Sequence, residues 1–172
     1  APDQDQWSTY YRLYEADSSF YTEERMNQAK EFSDTAIVVL SRRATEGDDL
    51  PKCQYDQNGT EDDSRTYLTL SDREALLISE VTANFDKVIV CFNTSAPMEM
   101  GFLDYDGIDA ALQIGYPGYY GDRAVSDIFT GNTNPSGHMV DTAAYSVATA
   151  PSYVNTGNLE SHTYSGRGGR YT

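Results

Sequence analysis

The chain has 172 residues, enough for one domain with a real core. Its 27 acidic and 12 basic side chains leave a formal charge of −15, a surface that repels phosphate backbones and argues against nucleic acid as a partner. No apolar run reaches the roughly 18 residues of a membrane span, so no membrane partner is expected. The chain opens at Ala1 without a leader pattern, which fits a processed protein or a cut piece. The bacterial cytoplasm and secretion are both compatible with it. Two cysteines make neither a disulfide framework nor a zinc spacing. No cofactor and no metal site is expected. The 14 tyrosines suit sugar stacking and domain interfaces alike.

Residues 1–21 are polar and aromatic without a period and read as an irregular arm. Thr22 to Phe32 has a capping threonine and places Met26, Ala29 and Phe32 on one helical face. Thr35–Leu40 is a continuous apolar run, the signature of a buried parallel strand. A long loop follows, Ser41 to Thr66. Its acidic middle, Asp56 to Asp63, has Gly59 misplaced for an EF-hand and reads as a solvated loop.

Ser71-Asp-Arg-Glu74 is a capping box opening a helix that runs to about Phe85. Lys87–Phe92 is a second strand, with Cys91 as a small buried hydrophobe. Asn93 to Met100 is a polar turn entering a short helix, and Ile108–Ile114 is a third strand. Gly115 to Gly121 is a glycine-rich turn before a helix from Asp122 to Phe129. A short strand is expected near His138–Asp141, after the tight turn Asn134 to Gly137. Residues 154–172 read as a flexible tail.

This alternation predicts an α/β fold, a three-layer sandwich with a mainly parallel sheet flanked by helices on both faces. The domain is expected to span 22–153. In such sheets ligands bind at the carboxyl edge of the strands. Arg42–Asp49, Asn93–Glu99 and Gly115–Arg123 each follow a strand and should converge there. The spacing Gly115-x-x-Gly118-x-x-Gly121 is neither a dinucleotide fingerprint nor a P-loop, and a wide turn needing small residues explains it better. His138 and His162 lack spacing partners. Glu46 stands apart because Arg42, Arg43, Asp48 and Asp49 surround it on a loop at the ligand edge. A solvated charged loop and a reactive carboxylate are equally compatible with that composition.

Ser41-Arg42-x-x-x-Glu46-Gly47-x-Asp49 after a strand resembles the glutamate loop of glycoside hydrolase family 3. The resemblance continues through Phe85–Asn93, Ser95–Met100, Pro117–Ala124 and Gly131–Gly137, and closes at Asp141-Thr142, in the family's order and spacing. Thr45 stands where the family usually has glycine, and Leu50-Pro51 where many members have arginine. The resemblance implies the C-terminal α/β sandwich domain of a β-glucosidase-like, retaining, exo-acting glycosidase. It implies Glu46 as the general acid/base, with Arg42 and Asp49 orienting it or the sugar hydroxyls. It implies a β-linked oligosaccharide or glucoside as substrate. The nucleophile would come from a (β/α)8 barrel, for which 172 residues have no room beside this domain, since a barrel takes roughly 250. The alternatives are a non-catalytic carbohydrate-binding module, a flavodoxin-like domain using the Gly115–Gly121 turn, and a scaffold with a decayed site.

Overall fold

The computed structural model of the chain describes residues 14–42, 50, 53–56, 60–62 and 64–150. Its elements are α1 (Glu23–Phe32), β1 (Thr35–Ser41), β2 (Gln54–Tyr55), β3 (Glu61–Asp62), α2 (Asp72–Asn84), β4 (Lys87–Asn93), β5 (Ala110–Gln113) and α3 (Gly118–Phe129). Short 3-10 turns occupy Ser18–Phe20, Gly101–Asp104 and Val147–Thr149. The main sheet has the order β1-β4-β5, all parallel, with Val38 opposite Val90 and Leu40 opposite Phe92. This is the expected α/β architecture.

Both principal helices start where their caps place them. Thr22 Oγ1 accepts from Arg25 N at 3.3 Å. Ser71 and Glu74 form the full reciprocal box, Glu74 N donating to Ser71 Oγ and Ser71 N to Glu74 Oε2. α2 returns the chain from β1 to β4 and lays Ile78 and Val81 on the sheet face made by Val38, Leu40, Val88, Val90 and Phe92. Met98 and Phe102, from the segment after β4, close the same core.

Several expectations are corrected. β1 is not buried on both sides: Ile37 is 47 % and Val39 49 % exposed, while Val38 and Leu40 are buried. β1 lies at the edge of the described sheet, whereas central β4 buries Val90, Cys91 and Phe92 in succession. Phe32 is 93 % exposed, because α1 ends there and the chain turns extended at Ser33. The long loop after β1 contains a small antiparallel ladder, β2 with β3, too short to leave a period in the sequence. The third strand is trimmed to Ala110–Gln113, and the Asp109 carboxylate accepts from Val88 N. The short helix expected after Asn93–Met100 is present as a 3-10 turn, Gly101–Asp104.

Residues His138–Asp141 form no strand, and Met139 and Val140 are exposed. α3 begins four residues before the expected start. Its glycines explain the spacing: Gly118 has a φ of 69°, and a Cβ on Gly121 would stand 2.5 Å from Pro117 Cβ. Cys53 and Cys91 are both buried, and burial raises the Cys91 pKa.

Candidate active site

The described residues of the three strand-following segments meet at Arg42. Its backbone carbonyl accepts from the buried Thr94 hydroxyl, just past β4, at 3.1 Å. The same carbonyl accepts from the Tyr116 hydroxyl, past β5, at 3.1 Å. Gln113 Nε2 donates to Thr94 O at 2.6 Å, tying the ends of β4 and β5. Parallel pairing puts these three ends on one edge, and the hydroxyls stitch them there.

The Arg42 side chain points under that edge and is buried. Nη1 donates to Glu74 Oε1 at 2.5 Å and to Ser41 O at 2.7 Å. Nη2 donates to Glu74 Oε2 at 2.7 Å and to Thr69 O at 2.6 Å, and Nε to Tyr67 O at 2.6 Å. All five guanidinium donors are engaged within the chain. The fork-to-fork pair with Glu74 is the strong, directional kind of ion pair. Glu74 thus serves twice, as the reciprocal cap of α2 and as the anion that fixes Arg42.

Arg42 is the last described residue before the charged loop. Arg43 to Asp49, with Glu46 and Asp49, lie outside the described residues. The acidic stretch around Gly59 does so in part. Residues 151–172 and most of the first arm also lie outside them. Among the described residues, no group of three or more His, Cys, Asp and Glu side chains is arranged to hold a metal ion, and no helix is long and apolar enough to cross a membrane.

Glu15 is a titratable group that sequence reasoning passed over. Burial, then the nearby Glu74 carboxylate, raise its pKa, while Arg42 opposes them. A raised carboxyl pKa favours folding below the ordinary glutamate range and loses that contribution as pH rises through the folded value. Glu15→Gln should therefore raise the melting temperature slightly at neutral pH, with the gain vanishing under acid conditions. Thermal melts of both proteins across that range check this; a lower neutral-pH melting temperature for the variant would mean that attraction to Arg42 dominates.

The family model for the glycosyl hydrolase family 3 C-terminal domain matches residues 13–171, and the chain belongs to that family. It is 30 % identical over 139 residues to a beta-glucosidase of Ruminococcus albus, covering 81 % of this chain and 14 % of that protein. It is 26 % identical over 149 residues to thermostable beta-glucosidase B of Acetivibrio thermocellus, covering 85 % of this chain and 18 % of the relative. Among solved structures, a beta-glucosidase from Paenibacillus barengoltzii aligns with a TM-score of 0.65 at 31 % identity, covering 80 % of this chain and 14 % of that one. The chain thus spans less than a fifth of the length of these relatives.

Proposed function

We propose that this chain is the sandwich domain of a retaining, exo-acting β-glycosidase that removes terminal β-glucosyl or related residues. Glu46 is its general acid/base, and the nucleophile is an aspartate on a (β/α)8 barrel domain of the parent protein. The observation that carries this reading is the convergence on Arg42. The residue that opens the Glu46 loop is locked from below by Glu74 and from the side by Thr94 and Tyr116. Membership in a family whose matched relatives are named beta-glucosidases supports it.

Arg42 acts by orienting the loop, since its donors are already taken. Asp49 orients Glu46 or a sugar hydroxyl. Retaining chemistry needs two carboxyl groups about 5–5.5 Å apart across the glycosidic bond, one ionised to attack and one protonated to assist departure. Glu46 fills only the second role. Tyr119 and Tyr120, 98 % and 90 % exposed beside Tyr116 on the same edge, suit an aromatic interface with the second domain.

The 172-residue chain alone should accordingly leave aryl β-glucosides intact, because an acid without a nucleophile forms no glycosyl-enzyme. Turnover assays on the purified chain and on the complete enzyme check this. Hydrolysis by the chain alone, free of contaminating glycosidase, would refute the division of labour.

A further inference from the structure

Among the described residues, two hydroxyl groups reach the Arg42 carbonyl, and they differ in kind. Thr94 is fully buried; its hydroxyl donates to Arg42 O at 3.1 Å and accepts from Ala96 N at 2.9 Å. Tyr116 donates to the same oxygen at 3.1 Å from a residue that is 56 % exposed. Without the phenol, Thr94 would still satisfy the carbonyl. A hydrogen bond whose loss leaves no buried group unpaired adds little to stability. Its consequence lies in where it holds the chain.

Tyr116 stands on a rigid mount. Ile114 N and Gly115 N both donate to Phe92 O, at 3.0 and 3.2 Å, so the turn after β5 is pinned to the end of β4. Gln113 Nε2 donates to Thr94 O just before that turn. Pro117 follows with φ fixed at −69° and opens α3. From this base the phenol reaches across 74 residues of sequence to the exit of β1.

Arg42 is held from two directions for two purposes. Its guanidinium is anchored by Glu74 and by the carbonyls of Tyr67 and Thr69, which fixes where the residue stands. The β1–β4 ladder ends at the Ser41–Asn93 pair, one residue earlier. The peptide plane after Arg42 is therefore oriented by the two hydroxyls. Glu46 lies four residues further along, at most about 14 Å of extended backbone. Over that length a tilt of about 5° in the peptide plane displaces the far end by about 1 Å, and a misplacement of that size can cost about 10²-fold in rate.

We infer that Tyr116 is a positioning residue for the reaction: its hydroxyl orients the Arg42 peptide plane and thereby aims the Glu46 carboxyl at the glycosidic oxygen. The role rests on the acid/base reading of Glu46. Tyr116 acts through the backbone and needs no contact with the sugar.

The test is a double-mutant cycle in the complete enzyme. Tyr116→Phe keeps the ring and removes the hydroxyl. It should lower kcat for cellobiose about ten- to hundredfold with KM little changed, because the acid is misaimed while the sugar contacts remain. Formation of the glycosyl-enzyme from dinitrophenyl glucoside needs no proton and should keep the parent's rate. The melting temperature should stay within about 2 °C of the parent's. In a Glu46→Ala background the same substitution should cost nothing further, since no acid is left to aim. Tyr105→Phe removes another exposed phenol, before β5 rather than after it, and should turn over as the parent does. Parent-like kcat for cellobiose in Tyr116→Phe, equal slowing with every leaving group, or a loss that adds in full to that of Glu46→Ala overturns the positioning role. A parent-like Tyr116→Phe beside a Glu46→Ala enzyme that azide rescues sinks the positioning role alone. A Glu46→Ala enzyme that azide does not rescue sinks the acid/base reading on which the role rests.

Discussion

In the complete enzyme, Glu46→Ala should lower turnover of cellobiose-like substrates by about 10²–10⁴, the usual contribution of a general acid. The effect should depend on the leaving group. A dinitrophenolate departs without a proton, so formation of the glycosyl-enzyme from dinitrophenyl glucoside should slow much less. Breakdown of that intermediate should then limit the rate, because water has lost its base. Azide needs no base and should restore turnover, giving a β-glucosyl azide. Asp49→Ala should show no such rescue if it only positions groups. Initial rates across a leaving-group series, with and without azide, decide the matter. Equal slowing of every substrate with no azide effect would make Glu46 a binding residue and send the search for the acid to the other domain.

The parts of the fold that were legible in the sequence are those decided locally. Val/Ile runs marked β1 and β4, and side-chain caps marked the starts of α1 and α2, because these signals lie within a few residues of what they specify. The meeting of the three strand ends at one edge followed from parallel strands alone. What held them together did not. The partner of Arg42 is 32 residues away, and Glu74 read as a local cap until the chain closed and its carboxylate met the guanidinium as well. A capping glutamate on a helix beginning at the ligand edge, with an arginine at the end of the preceding strand, was the available signal. Glu15 escaped notice because the arm has no period, and its shift arises from tertiary neighbours. Phe32 misled because periodicity knows nothing of where a helix leaves the body. The backbone contact of Gly101 with Tyr145 had no signal in the sequence.

The Arg42–Glu74 pair should dominate the stability response of this domain. Its side chains are 7 % and 9 % exposed, so the pair is shielded from water and from salt. Glu74→Ala would leave a buried guanidinium without its anion and α2 without its reciprocal cap. Removing one partner of a buried pair costs about 3–5 kcal/mol, on the order of 6–20 °C in melting temperature for a domain of this size. Glu74→Gln keeps the shape and an acceptor for Ser71 N, and should lose less. Replacing both partners with apolar residues is often neutral elsewhere. Here it should not be, because Arg42 also donates to the carbonyls of Ser41, Tyr67 and Thr69, and an apolar side chain supplies them with nothing. Arg42→Met with Glu74→Leu should therefore remain clearly less stable than the parent. The comparison pair is Arg65–Asp72, 39 % and 83 % exposed, where Asp72→Ala should cost about 1 kcal/mol or less. Urea unfolding of these four variants in one background measures the order directly. A Glu74→Ala penalty no larger than that of Asp72→Ala would mean that Arg42 is held by the three carbonyls alone and that Glu74 serves only as a helix cap.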